Sequence, residues 1–122
     1  MASRSPPPWR YVYVIGPAAG LQKVGLATDP RSRLAALQTA VPFNLIMHAA
    51  VRVPFREAHA VERRAHRLLA GVCARNEWFH ATPAEAIAAV EEAARPPNPV
   101  PTEWRPAQVL AGALPLFAYR RG

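Results

Sequence analysis

Glu62, in the stretch "VERRAH", has a histidine three residues before it and another four residues after it. On a helix those offsets bring His59, Glu62 and His66 onto one face. A carboxylate and imidazoles so arranged can hold a metal ion, or they can hydrogen-bond one another along the helix surface. The apolar stripe of the same segment, Ala58, Val61, Ala65, Leu68 and Leu69, runs beside Glu62. The carboxylate therefore sits at the edge of the buried face, while Arg63, Arg64 and Arg67 face away from it.

Three further groups stand out by type and position. Tyr11 and Tyr13 alternate with Val12 and Val14, which puts both phenols on one face of a strand. Lys23 follows Tyr13 by ten residues and is the only lysine among fifteen basic side chains. An amine is a compact point cation and arginine does not replace it geometrically. In a regular hairpin the amine and the Tyr13 phenol share a face and can meet. A packing contact between ring and aliphatic stem explains the same spacing without chemistry. Arg31 and Arg33 fall in the first turn of a helix, where the macrodipole disfavours cations. An anion held between them accounts for that placement, and so does pairing with Asp29 and solvent.

These groups need a scaffold to bring them together. "RYVYVIG" (10–16) and "LQKVGLA" (21–27) read as two strands joined by the turn "PAAG". Asp29 followed by Pro30 opens a helix whose apolar face is Leu34, Leu37 and Val41. Residues 42–53 read as a third strand, and residues 54–71 as a second helix closed by Gly71 as its C-cap. "EWFH" (77–80) is a short extended piece. Thr82, Pro83 and Glu85 supply a cap, a first-turn proline and a capping box for a third helix. The order β-β-α-β-α-α predicts a small α/β (α+β) domain over 10–94, with a three-stranded antiparallel sheet flanked by helices. Residues 1–9 read as disordered. Five prolines within 96–106 mark a linker, and 95–122 form a Pro-rich tail.

Charge is distributed unevenly. Residues 1–80 hold eleven basic and four acidic side chains (11 − 4 = +7), and residues 81–122 hold four of each. A one-sided positive surface is the footprint of a phosphate-backbone binder. Cys73 is the only cysteine, so no internal disulfide forms and a cytoplasmic location is expected. No apolar run approaches the roughly 18 residues that span a bilayer, and the first ten residues lack the apolar core of a signal peptide.

Taken in order, "YVY", "KVG", "LATDPRSRL", "VERRAH" and "EWF" resemble the GIY-YIG nuclease superfamily, and more narrowly its small phage and bacterial branch with a K-I/V-G second motif. The resemblance covers about residues 10–92 and implies metal-dependent cleavage of DNA with one Mg²⁺ or Mn²⁺. It implies Tyr13 as the tyrosine of the first motif and Lys23 where larger members carry a second tyrosine. It implies Arg33 as the transition-state arginine and Glu62 as the metal ligand. Arg31, Arg33, Arg63 and Arg64 are the expected nucleic-acid contacts, with Tyr11, His66 and Asn76 as auxiliary residues. Two departures accompany it: Tyr11 replaces the first-motif glycine, and the second tyrosine is absent. A binding module without turnover, or a protein-interaction domain acting through the Pro-rich tail, are the alternatives.

Overall fold

The structure is a computed structural model and describes residues 7–95. The expected readings of residues 1–6 and of the Pro-rich tail beyond residue 95 lie outside that range. β1 (Trp9–Gly16) and β2 (Gln22–Ala27) form the expected hairpin, with Tyr13 opposite Gly25 and Ile15 opposite Lys23. Trp9 already belongs to β1, so the ordered domain starts before residue 10. The turn is held by the buried Gln22, whose Nε2 donates to the carbonyls of Pro17 (3.0 Å) and Gly20 (3.3 Å).

The sheet corrects the expected three strands. Among the described residues it has five, all antiparallel, in the order β3-β1-β2-β5-β4. β3 (Ile46–Pro54) lies beside β1, starting four residues later than the sequence pattern suggests. The extra pair is β4 (Cys73–Arg75) and β5 (Trp78–Phe79), turned at Asn76, whose φ of 52° is left-handed. Strands of three and two residues carry no readable alternation. What makes them strands is the free edge of β2, onto which Trp78 and Phe79 pair.

Among the described residues, three α-helices cover the sheet. α2 (Ala58–Leu68) and α3 (Pro83–Ala94) pack on one face against Val12, Val14, Val24 and Phe79. α1 (Pro30–Gln38) packs Leu34 and Leu37 on the other, against Tyr13, Ile15, Ala27 and Leu45. The caps at Asp29 and Thr82 form as their residue types require. α2 ends differently from the expectation. Its C-cap is Leu69, while Gly71 lies in the 3-10 turn 70–72 that leads into β4. Leu68, expected on the buried stripe, is exposed because the chain turns away at the helix end.

Candidate active site

The site arises from a gap in the sheet. β5 pairs with β2 only at Gln22 and Lys23, and Val24 N donates to Glu77 O (3.0 Å). Past that point no strand among the described residues lies on the outer side of β2. α2 approaches this open edge from its own face of the sheet. His66 Nε2 bonds to Val24 O at 2.8 Å, and its ring lies tilted against Phe79, 5.2 Å between centroids. Because the acceptor is a carbonyl, Nε2 must carry the proton, which commits that nitrogen to the scaffold. One turn earlier on the same helix face stands Glu62.

Tyr13 reaches the gap from the opposite face. It is fully buried, and its ring lies across Gly25, where no side chain stands in the way. A Cβ on Gly25 would sit 2.4 Å from Tyr13 Oη and 2.6 Å from Cζ, well inside contact distance. The glycine of "KVG" is therefore the floor on which the phenol rests. Tyr13 Oη has no well-aligned hydrogen-bond partner among the described residues. Burial raises its pKa, nearby Glu77 and Glu62 raise it further, and the Arg33 guanidinium approaching the phenol opposes the rise without forming a well-aligned hydrogen bond.

Lys23 answers the question its isolation raises. It lies opposite Ile15 rather than Tyr13, and its amine turns toward β5 instead of the phenol. Nζ donates to Glu77 Oε1 at 2.7 Å and stands 5.7 Å above the Trp78 ring. The expected direct meeting of Lys23 and Tyr13 does not occur; Arg33 is the cation that acts on the phenol. Glu77 was not singled out in the sequence, yet it joins the site through Lys23. Only the pairing of Trp78 with Lys23 brings it there, and a two-residue strand gives no sequence signal for that pairing.

Glu62 makes no hydrogen bond or ion pair with any described residue. Its pKa is raised, first by partial burial and next by the neighbouring Glu77 carboxylate, against the opposing influence of His66, His59 and Lys23. Two carboxylates near one another, one of them unpaired, suit a divalent cation that retains most of its own waters and takes one or two carboxylates, as Mg²⁺ does. Among the described residues, no three His, Cys, Asp or Glu side chains gather to hold a metal by themselves.

Tyr13, Lys23, Arg33 and Glu62 thus belong to one electrostatically linked group. The auxiliary residues divide. Tyr11 shares the Tyr13 face, opposite Arg52 and Ala27. Asn76 is an exposed turn residue whose side chain makes no hydrogen bond to a described residue. Arg31 and Arg63 are exposed. Arg64 instead donates from Nε (3.1 Å) and Nη2 (2.7 Å) to Ala93 O, tying α2 to the end of α3.

The T5orf172 domain model matches residues 10–94. No curated protein and no solved structure matches the chain. Among the described residues, no helix is long and apolar enough to cross a membrane.

Proposed function

The chain belongs to the T5orf172 domain family, and on that premise we propose that it is a metal-dependent endonuclease of the GIY-YIG type, hydrolysing phosphodiester bonds in DNA. One observation carries the reading. Side chains from four separate elements converge at the β2 gap, and the central one, Tyr13, holds a buried hydroxyl with Arg33 near it and no well-aligned hydrogen-bond partner among the described residues. A buried hydroxyl is costly unless a partner meets it, and a substrate phosphate or water entering beside Arg33 would supply one.

The roles follow from position. Arg33, exposed on the first turn of α1 and close to the phenol, binds the phosphate and balances the charge that grows on it as the bond breaks. Tyr13 keeps its proton at neutral pH, because its pKa lies above the ordinary tyrosine value. It therefore first donates a hydrogen bond to a phosphate oxygen or to the attacking water. It exchanges a proton only as charge shifts in the site. Glu62 would hold Mg²⁺ or Mn²⁺, which when bound offsets negative charge on the phosphate and its leaving oxygen. Lys23 and Glu77 brace one another beside this group.

A plasmid-nicking assay tests the proposal. Supercoiled DNA is expected to relax with Mg²⁺ or Mn²⁺ and to stay intact in EDTA. Salt-sensitive binding with no nicking under either condition would move the reading to a binding module without turnover.

The pH profile adds a second check. Glu77 raises the pKa of both Glu62 and Tyr13. In Glu77→Gln both limbs of the kcat/KM profile are therefore expected to move to lower pH, the acidic limb through Glu62 and the basic limb through Tyr13. A profile that loses height without moving would show that Glu77 only supports the fold.

A further inference from the structure

At the end of the sheet where β1 begins and β3 ends, two arginines lie over exposed aromatic rings. The Arg52 guanidinium is 4.1 Å from the centre of the Trp9 ring, and that of Arg10 is 4.5 Å from the centre of the Phe55 ring. Trp9 is 38% and Phe55 50% exposed, so neither ring is serving the core. Arg10 is further held by its Nη1, which donates to the carbonyls of Pro7 (3.1 Å) and Trp9 (2.9 Å). Phe55 N donates to Pro8 O at 2.8 Å and ties the two segments together.

Among the described residues, no carboxylate pairs with either arginine. The ion pairs among the described residues are Lys23–Glu77 and Glu92–Arg95, and Glu57, close by in sequence, joins neither arginine. A guanidinium laid on a ring is pre-oriented, with N–H groups at its edge still able to reach an anion. The two pairs lie on opposite faces of the strand pair, so positive charge wraps around the end of the sheet. On the site face, Trp9, Tyr11 and Tyr13 follow one another at alternate positions, with Arg52 directly opposite Tyr11.

We propose that Arg10 and Arg52 form a second phosphate-contact station, gripping the nucleic-acid strand beyond the cleavage position. The proposal rests on the nuclease reading and adds a footprint to it. Trp9 and Tyr13 are four positions apart on β1, about 13 Å. With β1 lying along the axis of the duplex, where each strand advances about 3.4 Å per nucleotide, that places the contacted phosphates about four nucleotides from the cut.

The test uses the full chain, two DNA duplexes and the variant Arg10→Gln/Arg52→Gln, with folding checked by thermal melts. One duplex ends about two nucleotides from the cut, and the other runs about ten nucleotides past it on each side. On the long duplex the double variant is expected to bind more weakly, with the log–log salt slope reduced by about two. On the short duplex the affinities of variant and wild type should coincide. Arg52→Gln alone, which leaves the Arg10 backbone bonds intact, should lower the slope by about one. A neutral methylphosphonate placed about four nucleotides from the cut should weaken the wild type and not the double variant. Equal slopes on the long duplex, or equal losses on both duplexes, would overturn the station while leaving the nuclease reading intact. A wild-type chain with no salt-dependent affinity for DNA would overturn both.

Discussion

Glu62→Gln is expected to abolish nicking while leaving the protein at least as stable as the wild type. The catalytic half follows from charge. Gln keeps the size of the side chain but cannot hold a divalent cation, and losing roughly 3 kcal/mol of electrostatic stabilisation lowers the rate by at least about 100-fold. The stability half follows from the raised pKa, which means that the folded protein disfavours the ionised carboxylate. Between its unfolded and folded pKa values the folded state binds more protons than the unfolded state. Stability from this group therefore falls as pH rises through that window, and above it the full penalty remains.

Glutamine removes that penalty. The melting temperature of Glu62→Gln should equal or exceed that of the wild type at neutral pH, and the difference should vanish below the window. DNA binding at low salt should be nearly unchanged, because the phosphate contacts lie on arginines. A variant that loses activity and also melts well below the wild type would mean that Glu62 holds the fold. A variant that still cleaves at low Mg²⁺ would show that the carboxylate is not the ligand.

Much of the scaffold was legible because its signals are local. The caps at Asp29 and Thr82 need only a side-chain oxygen and the next few backbone amides, and both formed where the sequence put them. The central hairpin was legible from β-branched alternation around a Gly-Pro turn. What escaped were features created by tertiary contact. β4 and β5 total five residues and become strands because β2 has an open edge. The fate of Lys23 depended on the same edge: Ile15 faces it across β1, and Glu77 reaches it from β5. His66 read as a site residue by helical spacing and Arg64 as an outward-facing nucleic-acid contact, yet each binds a distant backbone carbonyl. Nothing local to the sequence announces a carbonyl partner 42 or 29 residues away.

That same distinction, between what the scaffold requires and what it merely tolerates, bears on Tyr13→Phe. Its hydroxyl is buried and makes no well-aligned hydrogen bond to a described residue. Removing it deletes an unsatisfied group whose burial costs about 1–3 kcal/mol and leaves a space no larger than one oxygen. The variant is therefore expected to be as stable as the wild type or more so. A gain of about 1 kcal/mol would raise the melting temperature by about 4–8 °C in a domain of this size. Cleavage should nevertheless fall by about 10²–10⁴-fold, the range for loss of a positioned proton donor or acceptor. Gly25→Ala gives the contrast: its Cβ collides with the phenol of Tyr13, so it should lose both stability and activity. A Tyr13→Phe protein that nicks DNA at the wild-type rate would make the tyrosine a packing residue, and its raised pKa a consequence of burial alone.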